Sequence, residues 1–435
     1  MSDNLQPNQA TSNQQGKGKS KTALGLLFSI MLMDIMGITL LYPVSTFIVR
    51  QYSQQAIMVT SLSMIYSAAQ FFAAPLLGKM GDRYGRRPVL LVSLFGSAVG
   101  YLIFGIGGAL WILFFSRLID GITGGNMSTA SAYIADISKP DELAKNFSLI
   151  GLAWGVGLVL GPALGGFLGQ VGLRLPAFAA CGLSLLNLLL GFFWLPESLS
   201  RERRQVGKMR AGDFNPFAAI KAMGRIPGLG ILLAVLCLFN FGANGMNSTE
   251  SLFLIQKFTA QPWQIGLLQV LVGIVIALVQ ALVPKLVPRF GEAAVAITCL
   301  GIQGLGALAV SFNPIFLLIY PIILLRSGAS GFIYSTLGSL NSKRVPPSEQ
   351  GILAGVTTAL NSLMSIVGPL LAGMLYDRWA PGAPYWITAV FFGVAAGLLL
   401  AQRPHLGIGS GRLIDGERRL NLPTRLYSDY CHLIS

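Results

Sequence analysis

Acid is scarce in this sequence: 17 Asp and Glu stand against 31 Lys and Arg in 435 residues. Charge of both signs amounts to only 11% of the chain, less than half of the roughly 25% that a soluble domain carries. Such a chain cannot cover its surface with charge, so much of that surface faces lipid. Histidine is nearly missing. The two present, His405 and His432, lie near the C-terminus, which excludes a histidine metal cluster or proton relay in the body of the chain. Three of the four cysteines (Cys181, Cys237, Cys299) sit in apolar runs and Cys431 lies near the end, with neither metal-site nor disulfide-framework spacing. No GxxxxGK[ST] loop is present, so no nucleotide drives whatever the protein does.

What the chain has is apolar length. Hydrophobic residues make up 53%, the mean hydropathy is +0.64, and 52 glycines suit closely packed membrane helices. A span needs about 20 mostly apolar residues. Twelve are expected, near 24–49, 59–80, 88–107, 109–135, 146–168, 174–195, 228–254, 264–284, 292–311, 314–338, 350–374 and 383–401. The fold class is therefore an all-α integral membrane protein of twelve transmembrane helices in two pseudo-symmetric six-helix bundles. Its domains are a disordered N-terminal tail (1–23), a first bundle (24–195), a basic linker (196–227), a second bundle (228–401) and a C-terminal tail (402–435). The first apolar run is too long for a cleaved signal peptide.

Basic residues are distributed with a bias. Twenty-five of the 31 fall on the side of the termini and the linker, and four (Arg50, Arg174, Lys257, Arg378) fall on the other. The remaining two, Arg117 and Arg326, lie inside spans. By the positive-inside rule both termini are cytoplasmic in an inner membrane, and the net charge of +14 needs no nucleic-acid partner. The two halves also repeat. "PLLGKMGDRYG" ends at Gly85 and "ALVPKLVPRFG" at Gly291, a shift of 206, while Pro140 and Pro162 are matched by Pro347 and Pro369 at a shift of 207. Two parallel six-span repeats place a site between bundles, near the bilayer midplane.

Three ionisable residues are expected deep in the first bundle. Asp34 lies about 16 Å into span 1 at 1.5 Å per residue. Arg117 and Asp120, at i and i+3, share one face of span 4. Each such charge costs about 2.5–3.5 kcal/mol at a bilayer centre, so these residues face a cavity or pair with one another. Adding 206 to Asp34 gives Asn240, so this charge is confined to one half. Glu250 reads equally as a cavity residue in span 7 or an interface residue. Polar candidates for binding a substrate are Asn240, Asn244, Gln280, Gln303 and Arg326, and Met33, Met36, Tyr42, Trp154, Phe239 and Met246 are apolar ones, more often packing than pocket.

The crowded stretch "GKMGDRYGRRPVLL" matches the major facilitator superfamily signature G-x-x-x-D-R-x-G-R-[RK] at Gly78, Asp82, Arg83, Gly85, Arg86 and Arg87. "RLIDGITGG" in span 4, the run Gly157, Gly161, Pro162, Gly165, Gly166 in span 5 and "LPES" at 195–198 resemble the drug:proton antiporters of the tetracycline-exporter type. The resemblance implies the major facilitator fold and a secondary active transporter that exports a small amphiphilic compound in exchange for protons by alternating access. It is not an enzyme and carries no cofactor or metal; the proton gradient is its energy source, and its partners are a small-molecule substrate and the bilayer, with a monomeric chain. In such a transporter the span residues Asp34, Arg117, Asp120 and Glu250 are the candidates for proton coupling and for the cavity. The resemblance implies too that the 78–87 stretch latches the two bundles, with Asp82 near a helix N-terminus, and that the glycine-rich face of span 5 seals against leak. Spans 3 and 9 ("GSAVGYLIFG", "GIQGLGALAV") lack the acids of tetracycline exporters, so recognition of a metal–tetracycline cation does not carry over. Alternatives are a proton-coupled metabolite symporter, a lipid flippase of the same fold, and a non-transporting membrane sensor.

Overall fold

A computed structural model of the chain describes residues 8–124, 126–138, 142–199, 204, 226, 228–346 and 350–402. Most of the expected linker and C-terminal tail lie outside these residues. Eleven segments are helices long and apolar enough to cross a membrane, and the twelfth crossing is span 4, built from two shorter helices, Leu110–Thr123 and Asn126–Ile137. Span 1 is also jointed, as Asn8–Leu40 and Tyr42–Arg50, with Pro43 just after the joint. The other spans are continuous: Ala56–Tyr84, Arg86–Ile106, Leu143–Val171, Leu175–Trp194, Leu229–Phe258, Pro262–Phe290, Glu292–Phe312, Phe316–Ser342, Gln350–Arg378 and Ala383–Ala401. The chain is an all-helical membrane protein of twelve spans.

The first helix departs from expectation at its start. It runs back to Asn8, through a polar stretch read as disordered tail. No Pro interrupts residues 8–22, so a helix nucleated by the apolar span can propagate backwards at little cost per residue. The two basic "loops" also differ. Residues 78–84 are the last turns of span 2 and Arg86 is the first residue of span 3, so the connection is Gly85 alone. Long basic side chains snorkel from helix ends to water, which is why composition could not tell loop from helix here. Gly85 (φ +110°) and Gly291 (φ +84°) make the same one-residue turn in the two halves, in backbone conformations that L side chains rarely adopt.

Large apolar side chains such as Phe72, Trp111, Phe193, Leu317 and Val390 are exposed around the outside, as lipid requires. Inside each bundle Leu, Ile, Val, Ala and aromatic residues pack into continuous buried clusters. Between the bundles, span 5 packs on span 8 and span 2 on span 11. These contacts gather at the end opposite the linker, the far end. There Gly166 and Gly266 bring two backbones together: a Cβ at Gly166 would lie 3.0 Å from the Gly266 Cα. Asp377, at the end of span 11, accepts hydrogen bonds from the Ala56 and Ile57 N–H groups at the start of span 2, at 2.7 and 2.9 Å.

Toward the linker end the same faces separate. Gly151 and Gly155 continue the span 5 stripe that holds Gly166, yet neither has any atom within 4 Å of a built Cβ. Gly78 lies 18 residues beyond Thr60 on span 2, and Gly355 lies 18 before Gly373 on span 11. Eighteen residues are five turns, hence the same face. A Cβ at Gly373 would meet Thr60 and Ile57, whereas Gly78 and Gly355 face open space. The bundles are closed at the far end and splayed at the linker end.

Candidate functional site

The splay leaves a cavity of about 510 Å³ between the bundles, lined by residues of both. Span 1 contributes Ile38, Tyr42 and Ser45; span 2 contributes Ser63, Tyr66 and Ser67; span 4 contributes Arg117. The second bundle contributes Asn244, Asn247 and Glu250 from span 7, Gln269 from span 8, Gln303 from span 9 and Arg326 from span 10. This is the size and mixed lining of a small-molecule site.

Two ion pairs flank it. Arg117 Nη1 donates to Asp120 Oδ2 at 3.0 Å, with Asp120 fully buried and the guanidinium carbon 4.7 Å from the Phe104 ring and 5.4 Å from that of Tyr101. In the second bundle Arg326 Nη2 pairs with Glu250 Oε2, both residues buried, and Arg326 Nη1 reaches Met246 Sδ. Gln303 Nε2 donates to the Arg326 carbonyl at 2.8 Å and to Ser330 Oγ, which ties span 9 to span 10. Glu250 is thus a wall residue of the cavity rather than an interface residue.

Asp34 is placed differently. It lies outside the cavity lining, and its partner is an amide: Asn126 Nδ2 donates to Asp34 Oδ1 at 3.0 Å. The ion pair with Arg117 that the sequence allowed is taken by Asp120, three residues along the same helix, because that partner needs no second element to bring it near. On span 1, Asp34 sits one turn, about 6 Å, from Ile38 on the side of the linker end. Asn126 opens the second half of span 4, just past the interruption at Gly124, whose carbonyl accepts from Gln70 Nε2 at 2.7 Å.

The remaining expected residues divide. Asn244, Gln303 and Arg326 line the cavity. Asn240 is buried behind it and accepts the Tyr334 hydroxyl at 2.9 Å. Gln280 is exposed, one turn beyond Ile276 toward the linker end, and Gln269 takes the place on the wall. Of the apolar candidates Tyr42 and Met246 line the cavity; Phe239 instead packs on Tyr334 and Phe392. Gly157, Gly161 and Gly165 face span 1, where Thr39 Oγ1 donates to the Gly157 carbonyl at 3.1 Å, and the Pro162 carbonyl and Gly166 face Gly266 of span 8. The span 5 motif therefore presents two faces, one to its own bundle and one to the other.

Within the 78–87 stretch, Asp82, Arg83, Arg86 and Arg87 have partners in the first bundle and in the residues just after it. Arg86 pairs with Asp82 and, at 3.2 Å, with Asp136 at the end of span 4, and it donates to the Gly78 carbonyl at 3.3 Å. Its backbone N–H donates to Glu197 at 2.8 Å, so the carboxylate at the span 3 N-terminus is Glu197 and not Asp82, which sits in the last turn of span 2. Arg87 donates to the Phe192 carbonyl and Arg83 lies over the Tyr84 ring. The partners described for Asp82, Arg83, Arg86 and Arg87 all belong to the first bundle and the Glu197 that follows it, at the end where the two bundles stand apart. Sequence reasoning missed Asn126, Asp136 and Asp377. A glycine pair before Asn126 and an acid at the end of spans 4 and 11 were the available signals.

Comparison with known proteins agrees with this architecture. The family model described as Major Facilitator Superfamily matches residues 27–258 and again 232–420. The tetracycline resistance protein, class C, of Escherichia coli is 36% identical over 90% of this chain and 98% of its own length. Multidrug resistance protein 2 of Bacillus subtilis is 27% identical over 82% of this chain and 90% of its own. Among solved structures, the human organic anion transporter MFSD10 superposes with a TM-score of 0.65 over 87% of this chain and 99% of that chain, at 24% identity. The nucleoside transporter NupG gives a TM-score of 0.72 over 86% and 99%. With two like bundles around a cavity of paired charges, this chain belongs to the major facilitator superfamily and is a membrane transporter, not an enzyme.

Proposed function

We propose that the chain is a proton-coupled exporter of small amphiphilic compounds, monomeric, in the cytoplasmic membrane, with both termini and the linker inside. The bias of Lys and Arg toward the linker end supports that orientation, and the open cavity then faces the cytoplasm. The resistance proteins among the relatives support export over uptake.

One observation carries the coupling. Of the three acids around the cavity, Asp120 and Glu250 are held by arginines, while Asp34 is held by an amide. A proton gained or lost at Asp34 breaks no ion pair, whereas protonating either other acid leaves a buried arginine unpaired at a cost of about 3–5 kcal/mol. Asp34 is therefore the coupling carboxylate, reached from the linker end while the bundles are splayed there. Rocking the bundles about the far-end contacts would close that mouth and expose the cavity on the other side. Neither step needs a cofactor or metal.

The test is accumulation of radiolabelled chloramphenicol, a small neutral amphiphile, in cells without their own efflux pumps. Cells making this chain should accumulate less than cells making the Asp34→Asn variant at equal expression. Equal accumulation in both, or more with the wild type, would count against export.

A further inference from the structure

Every charge that lines the cavity is answered by another, and Asp34, the acid without an arginine, lies outside the lining. Among the described residues that line it, Glu250 is the one acid, and Arg326 lies against it; Arg117 is answered by Asp120 directly behind the wall. The rest of the polar lining is uncharged, with Ser45, Ser63 and Ser67 on the first bundle and Asn247, Gln269 and Ser327 on the second. We propose that Arg326 acts as a charge mask over Glu250, so that the cavity takes neutral, hydrogen-bonding amphiphiles and refuses lipophilic ions of either sign. This deepens the exporter reading and rests on the cavity being its transport site.

A lipophilic ion leaving water for a low-dielectric cavity needs an uncompensated countercharge on the wall. Glu250 cannot serve a cation, because Arg326 lies against it and would repel the cation. Nor can Arg326 turn away easily: its Nη1 meets Met246 Sδ, its Nη2 meets Glu250, and the side chain is buried. A neutral guest suffers neither repulsion and can exchange its water for the serine and amide groups. Arg326 is thus a specificity-determining residue, and its removal exposes an acid where Glu250 already stands.

The pair also gives a test that runs in both directions. Binding to purified protein in detergent is measured by equilibrium dialysis, with protein-free micelles as the blank, for three probes of similar shape. These are tetraphenylphosphonium (cationic), tetraphenylborate (anionic) and triphenylphosphine oxide (neutral, one acceptor). The wild type should prefer the neutral probe. Arg326→Gln should gain tetraphenylphosphonium affinity, and Glu250→Gln should gain tetraphenylborate affinity, each by about tenfold or more, the equivalent of about 1.4 kcal/mol. The double variant, which restores neutrality, should return to the wild-type order and guards against a single variant that does not fold. Wild-type protein that binds either ion as tightly as the neutral probe would overturn the proposal. So would monodisperse single variants with unchanged preference, or a double variant that keeps a gained ion. No gradient is involved, so failure of the exporter reading leaves this result intact, and the reverse holds too.

Discussion

The two bundles repeat one another in backbone but divide their charge in opposite ways. In the first, the arginine of span 4 is satisfied within its own helix by Asp120, which leaves Asp34 to an amide. In the second, Asn240 stands where the repeat would put that acid, and Arg326 reaches across to Glu250 on span 7. The linker ends show the same inversion. Arg86 pairs with Asp136, and the residues 206 and 207 further on, Glu292 and Lys343, pair at 2.8 Å with the signs exchanged. The first of these pairs is largely buried and joined by Asp82; in the second the lysine is exposed, and Pro288 replaces Asp82. A duplicated scaffold has kept its positions and reassigned its charges, so that an acid held by a side-chain amide sits in one bundle and, among the described residues, no such acid sits in the other.

That contrast breaks most severely at Arg117. Arg117→Ala leaves Asp120 buried without a cation, a loss of about 3–5 kcal/mol. Folded yield by size-exclusion chromatography should collapse, and Arg117→Ala with Asp120→Ala should recover much of it. Asp34→Asn removes no ion pair, so its yield should be normal while gradient-driven transport is lost. Moving the acid to the other half, as Asp34→Asn with Asn240→Asp, should not restore transport, because Tyr334 and not an open path faces residue 240.

At the far end, Asp377→Asn replaces a charged acceptor of two N–H groups by a neutral one, a weakening of about 1 kcal/mol. Spin labels across spans 2 and 11 should then report more of the far-end-open state; an unchanged distance distribution would deny Asp377 a gating role. Asp82→Asn should slow transport at normal expression, whereas Lys343→Gln should not, since a pair made by an exposed lysine contributes about 0–1 kcal/mol. Equal effects would erase the distinction between the linker ends. Smallest of all, tetracycline resistance should stay near the vector control with or without added magnesium, as spans 3 and 9 bring no acid to the cavity.

Span number, the repeat and the buried arginines were legible in the sequence because hydropathy and a shift of 206 are properties of the chain alone. Pairing was not. Asp34 and Asn126 are 92 residues apart and Glu250 and Arg326 are 76 apart, and only packing decides which neighbour an arginine meets. The sequence could not say that Arg117 would choose Asp120 over Asp34, nor that Gln269 rather than Gln280 would face the cavity. The partners of the 78–87 stretch were not legible for another reason: a latch depends on which ends are apart, and a sequence has no conformational state.

The most direct measurement is chloramphenicol movement in proteoliposomes, with and without an imposed pH gradient, for the wild type, Asp34→Asn and the neutral pair Glu250→Gln with Arg326→Gln. The division of labour between bundles predicts that the gradient drives accumulation by the wild type and by the neutral-pair protein, while Asp34→Asn only exchanges chloramphenicol to equilibrium. Accumulation by Asp34→Asn, or loss of the gradient response in the neutral-pair protein alone, would place the proton in the second bundle and contradict the account.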